Sequence, residues 1–181
     1  MNAELIAVGT EILLGDIVNT DAQLISQGLS ELGINVFYQT VVGDNPARLE
    51  RVVREAKDRA DIIITTGGLG PTLDDLTKET IAKAMGDVIV ENPDCMQYLK
   101  ENYARAGRTM TPNNLKQAYM PSRAIVLPND AGTAPGFALE QDGKLIIAMP
   151  GPPREMTRMF ELQVKPLLQK RQDSVIYYRM L

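Results

Sequence analysis

The stretch that most restricts the fold of this chain is Ile62–Thr77, IIITTGGLGPTLDDLT. Ile62, Ile63, Ile64 and Thr65 form a short β-branched run bounded by glycine, the pattern of a buried parallel strand. Gly67, Gly68 and Gly70 then remove side chains where the backbone must turn sharply or admit a ligand. Pro71 and Thr72 follow, and a helical pattern begins near Leu73 or Leu76. A strand that runs through a glycine turn into a helix N-terminus presents free N–H groups and the positive end of a dipole. Thr66, Gly67, Gly68, Gly70, Pro71 and Thr72 are therefore candidate phosphate contacts.

Asp74 and Asp75 follow directly, and two acids beside a phosphate site invite a divalent metal shared between carboxylate and phosphate oxygens. The plainer alternative is a capping-box variant, Thr72 with Asp75, since acids are common in a first helical turn. Neither standard nucleotide motif fits. The loop lacks the Lys-Ser/Thr of a P-loop, and Gly68-x-Gly70 has no third glycine at dinucleotide spacing.

The 181 residues contain no histidine. That removes Ser-His-Asp and Cys-His catalysis, the commonest general base and the usual zinc and iron ligand sets. A bound metal would be held by carboxylates and backbone oxygens, which favours Mg²⁺, Mn²⁺ or Ca²⁺. A net charge of −4 with no Lys/Arg cluster gives no footprint for nucleic acid. No stretch reaches bilayer-spanning length, the first residues carry no signal pattern, and Cys95 is the single cysteine. These features predict a soluble cytoplasmic protein of one domain, with 44% hydrophobic residues for its core.

In chain order, Leu5–Val8 reads as a strand ending at Gly9-Thr10-Glu11, where a parallel strand opens into a ligand crevice. Thr20 with Gln23 makes a capping box for a helix on Leu24, Ile25, Gly28, Leu29 and Leu32, stopped by Gly33. Ile34–Val42 is a second strand, and Asn45-Pro46 starts a helix with the stripe Leu49, Val52, Val53 and Ala56. After the organising strand the pattern gives a helix to Met85, a strand Val88–Val90 and a helix from Asn92-Pro93 to about Arg105. Residues 106–121 read as a lobe or loop with one short helix from Thr111-Pro112. Ala124–Leu127 is strand-like, and Asp142-Gly143 marks a hairpin between Phe137–Glu140 and Lys144–Met149. Pro150, Gly151, Pro152 and Arg154 then open a last helix that Pro166 should kink or end. Arg154 could clamp phosphate or simply pair with a surface acid. Ser174–Leu181 reads as a further strand. Alternating elements predict a three-layer α/β/α sandwich on a mostly parallel mixed sheet, with ligand residues at strand C-terminal ends. Those ends are Gly9–Glu11, Gly43–Asn45, Thr66–Asp75 and Pro150–Arg154.

Six pieces resemble the N-terminal domain of the CinA family, within the MogA/MoaB molybdopterin-binding superfamily. They are Gly9–Gln23, Val41–Asn45, Thr65–Glu79, Asn113–Pro121, Asn129–Phe137 and Met149–Met156, in family order. The resemblance implies a domain over residues 1–170, with 171–181 the start of a following segment. It also implies metal-dependent hydrolysis of a pyrophosphate such as that of ADP-ribose. Asp75 and Asp44 inherit the functional acids, Asp74 is the neighbour typical of the CinA branch, and Asp74 with Asp75 would hold the cation, Mg²⁺ by preference. Asp21 stands where the family usually has asparagine, and Leu73 replaces a common proline. A nicotinamide-nucleotide deamidase activity, which belongs to a later domain of longer relatives, is not expected from this chain. The alternatives are a pterin-binding or adenylyl-transfer module and a non-catalytic binding domain, each for a nucleotide or pterin phosphate. Relatives are oligomers, so a homodimer or homotrimer is expected, with the last strand taking part or else poorly ordered.

Overall fold

The computed structural model describes residues 1–105 and 107–179, with side chains described through residue 172. The chain opens with β1 (Asn2–Val8), the short helix α1 (Thr10–Leu14), α2 (Thr20–Glu31), β2 (Asn35–Val42) and α3 (Pro46–Arg59). β3 (Ile62–Thr66), α4 (Thr77–Ala84), β4 (Ile89–Glu91) and α5 (Pro93–Arg105) follow. A small lobe holds α6 (Pro112–Leu115), a 3₁₀ turn (Lys116–Ala118) and β5 (Tyr119–Pro121). The chain then continues through β6 (Ile125–Leu127), β7 (Gly136–Gln141), β8 (Lys144–Met149) and α7 (Pro153–Met159) to α8 (Lys165–Arg179).

The main sheet has the order β2-β1-β3-β8-β7-β6, parallel from β2 to β8, with β7 antiparallel to both its neighbours. β3 lies in the middle of it. Ile62, Ile63 and Ile64 are all essentially inaccessible, as an unbroken apolar run in a parallel sheet requires. The two-residue period splits them: Ile63 joins α3, α4 and α5 in one core, while Ile62 and Ile64 join α2, α7 and α8 in the other. A three-layer α/β/α sandwich results.

Local signals account for most boundaries. The Asn45 side chain caps α3 by accepting from Arg48 N at 3.0 Å, with Pro46 at the first helical position. Asn92 caps α5 in the same way through Cys95 N at 3.0 Å. Asp142 and Gly143 both have positive φ, 53° and 75°, as a two-residue hairpin turn between β7 and β8 demands.

Several expectations are corrected. The cap of α2 is Asn19, which accepts from Ala22 N at 3.1 Å, so Thr20 is already helical. α1 has no sequence signature: its cap position is Gly9, with no side-chain hydrogen bond, and none of its residues is buried. Of the two starts offered for α4 the structure takes the later, with Leu76 as N-cap and Thr77 the first helical residue, which leaves Asp74 and Asp75 in the loop rather than in a first helical turn. The lobe contributes β5, antiparallel to β4. Pro166 does not end the helical run: a π-helical turn (Phe160–Val164) precedes it and α8 runs on. A widened turn offers a way to admit a residue that has no N–H to donate. Residues 174–179 therefore continue a helix and are not a strand, and 180–181 lie outside the described residues. The β-prone run Val175–Tyr178 yields because extending an existing helix adds a hydrogen bond per residue with no new nucleation.

Candidate functional site

The strand C-terminal ends open on one side. Gly9 N donates to Val42 O at 3.0 Å and Gly67 N to Met149 O at 3.0 Å, so the loops after β1 and β2, and those after β3 and β8, are stitched in pairs. Gly67 and Gly68 take φ of 94° and 69°, and a methyl group on Gly67 would collide with the Val8 carbonyl oxygen. The amides of Gly68, Leu69 and Gly70 find no partner among the described residues. These loops line a cleft of about 590 Å³.

Two aspartates are fixed there by the same device. Asp44 Oδ2 accepts from Thr10 N at 3.0 Å and from Thr10 Oγ1 at 2.8 Å, while Asp44 N donates back to Thr10 Oγ1 at 3.2 Å. Asp75 Oδ2 accepts from Thr72 N at 2.9 Å and Thr72 Oγ1 at 2.5 Å. Each carboxylate is held through one oxygen, and no protein donor within the described residues engages Oδ1 of either. The Thr72–Asp75 loop is braced from the lobe. Lys116 Nζ donates to Thr72 O at 3.2 Å and also to Asp75 O, and Lys116 O in turn accepts from buried Lys78 Nζ at 2.7 Å. Burial pushes the Lys78 amine down to about 8.

Further residues in or beside the cleft come from pieces that carry the family resemblance but were assigned no role there. Asn129, 2% exposed, donates to Glu155 Oε2 at 2.6 Å and to Ala134 O at 2.9 Å, fixing the loop before β7 against α7. Gln117 reaches the cleft with Nε2 on Thr133 Oγ1 at 3.2 Å, while its buried Oε1 has no partner among the described residues. Asp21, 7% exposed, also lines the cleft, and burial pushes its carboxyl up to about 6.

Of the residues named from sequence, Gly9, Glu11, Asp44, Thr66, Gly67, Gly68, Gly70, Pro71, Asp74, Asp75, Gly151 and Pro152 line the cleft. Thr10 and Thr72 are not lining residues but the clamps on Asp44 and Asp75. Arg154 falls elsewhere, in a neighbouring groove with Asp130 and Arg158, because the turn into α7 carries it past the cleft mouth. The consequence is electrostatic. Glu11, Asp21, Asp44, Asp74, Asp75 and Glu155 line the cleft, and no lysine or arginine among the described residues does. Among the described residues no three acidic, histidine or cysteine side chains group closely enough to hold a metal by themselves. The donor set instead fits a hard cation held jointly by one or two carboxylates and a ligand's phosphate oxygens. No helix of the described residues is long and apolar enough to cross a membrane.

Residues 4–170 match the family profile described as "Probable molybdopterin binding domain". A "CinA-like protein" of Kosmotoga olearia is 51% identical over 181 residues, which is 100% of this chain and 44% of that protein. A "Putative competence-damage inducible protein" of Bacillus subtilis is 52% identical over 172 residues, 95% of this chain and 41% of its own. The chain thus spans less than half the length of these curated relatives. Among solved structures, the CinA protein of Thermoplasma acidophilum, described there as of unknown function, aligns with a TM-score of 0.85 at 37% identity, covering 91% of this chain and 96% of that one. The MoaB molybdopterin biosynthesis enzyme of Thermus thermophilus shares the fold, with a TM-score of 0.59 at 19% identity over 93% of this chain and 96% of that one. With the profile spanning most of its length and the T. acidophilum relative covered nearly end to end, the chain belongs to the molybdopterin-binding-domain family, in its CinA-like branch.

Proposed function

We propose that the cleft binds a nucleotide diphosphate as its complex with a divalent cation and hydrolyses the pyrophosphate bond, ADP-ribose being the substrate of first choice. One observation carries the reading: six carboxylates line a cleft with unpartnered glycine-turn amides and no basic side chain among the described residues. A bare diphosphate is repelled by such walls, whereas a diphosphate chelating Mg²⁺ brings the missing positive charge. Asp74 and Asp75 would hold the cation, which supplies charge neutralisation of the phosphates and a more acidic bound water.

The chain's own groups divide the remaining work. The amides of Gly68, Leu69 and Gly70 receive phosphate oxygens at fixed positions, without reorganisation during reaction. Asp44, oriented by Thr10, offers Oδ1 to accept a proton from the attacking water, the role histidine fills in other sites. Incubating the purified chain with ADP-ribose and MgCl₂, MnCl₂ or CaCl₂ tests the reading. AMP and ribose 5-phosphate should appear with a metal and be absent with EDTA. ADP-ribose left intact under every metal overturns hydrolysis. Binding of a pterin phosphate in its place would favour the ligand named in the family description.

A further inference from the structure

Asp21 is the cleft group that the scheme above leaves unused. It is the second residue of α2, yet the helix is capped by Asn19, so no capping duty explains it. Its side chain is 7% exposed and has no hydrogen bond or ion pair within the described residues. It lines the cleft with Ile12, Ile17, Val18 and Thr20. A buried carboxylate without a donor is costly, and burial alone accounts for its raised titration point near 6. Its oxygens open to the cleft, where hydrogen-bond donors of a ligand can take the place of solvent, and an unchelated phosphate is repelled.

We propose that Asp21 is the specificity residue of the cleft, receiving through its two oxygens the paired hydroxyls of a ribose-type vicinal diol. This rests on reading the cleft as a nucleotide-diphosphate site. Two acceptor oxygens side by side match two adjacent O–H donors, whereas a single amino group on a base satisfies one. Ile12, Ile17 and Val18 give apolar wall for sugar carbons, and every ribonucleotide carries the diol whatever its base. The same carboxylate then refuses a ligand whose diol bears a phosphate, the discrimination that an acidic residue gives dinucleotide folds at the ribose.

Isothermal titration in MgCl₂ at pH 8 decides the matter, using ADP, 2′,3′-dideoxy-ADP, 2′-phospho-ADP, IDP and inorganic pyrophosphate. The wild type should bind ADP more tightly than the dideoxy analogue by roughly 100-fold or more, the lower end of the value of two hydrogen bonds to a charged group. Asp21→Ala should bring that ratio near one, and Asp21→Asn should lower it and readmit the 2′-phosphate. Circular dichroism establishes that each variant is folded, and the asparagine variant suffices if the alanine one is not. A wild type that binds ADP and its dideoxy analogue alike overturns the assignment. So does discrimination that survives in Asp21→Ala, or that follows the change from ADP to IDP instead. Tight magnesium-pyrophosphate binding without diol preference overturns this proposal alone. Binding of neither pyrophosphate nor ADP overturns the cleft's reading as a diphosphate site, and this proposal with it.

Discussion

Asp44 and Asp75 reach the cleft as twin constructions, each with one oxygen locked by a threonine and the other left for a ligand. Asp75→Asn keeps an oxygen for Thr72 N and Oγ1 but loses the charge. We expect an unchanged melting temperature with hydrolysis lowered roughly 100-fold or more, the range for losing a group in the proton or charge machinery. Wild-type rates at saturating Mg²⁺ would reduce the carboxylate to a structural part. Asp21 makes a prediction of opposite kind. Its carboxyl titrates at about 6 in the fold against an ordinary 3.8, so the folded state holds that proton more tightly between these values. Stability attached to it is present below about pH 4 and lost as pH rises through 6. Asp21→Asn should therefore stabilise the chain at pH 7.5, by on the order of 1–3 kcal/mol, and leave it unchanged near pH 4. Urea unfolding at both pH values reads this, and an equal effect at both refutes it. Asp74 and Asp75 were legible beside the glycine turn, and Asp44 through the family resemblance at the end of the second strand. Of their clamps, the pairing of Thr72 with Asp75 was legible as a capping-box variant, while that of Thr10 with Asp44 was not, because the two are 34 positions apart and no spacing rule joins them.

At the scale of elements, β3 and its glycine turn could be read directly, since apolar run, glycines and strand length all agree. The caps of α3 and α5 and the hairpin turn were equally plain, each being set by side chains within three residues of the backbone they satisfy. α1 could not be read. Five residues with no cap side chain and no buried face leave neither a start signal nor a period. The late start of α4 has a tertiary cause, the hold of Lys116 on the Thr72 and Asp75 carbonyls, which belongs to a lobe 41 residues away. Lys116→Met should free that loop while leaving the sandwich standing. Hydrogen exchange should quicken at residues 72–76, and the Mg²⁺ concentration for half-maximal activity should rise several-fold, with little change in melting temperature. Unaltered exchange there would show that the loop holds itself.

For the whole molecule, the layered architecture followed from alternation of strand and helix, but the end of the chain did not. Local β-propensity in 174–179 gave way to continuation of α8, a choice made by what precedes it. Arg171 pairs with Glu140 at 2.7 Å, Gln172 donates to Leu32 O at 2.5 Å, and Leu168 is wholly buried. A chain ending at Gln172 should melt like the parent. One ending at Pro166 should lose roughly 2–5 kcal/mol by vacating the Leu168 site. Differential scanning calorimetry of the two lengths distinguishes them, and similar midpoints would mean that α8 adds nothing to the core.

The acidic cleft also sets how such a site samples its surroundings. Walls that repel naked anions but admit a chelate make occupancy depend on the product of two concentrations, nucleotide and free metal. Diluting both tenfold should empty the site far more than diluting either alone. In signalling language, a cleft that binds as proposed is a coincidence detector: it reports the moment when two ordinary solutes are abundant together.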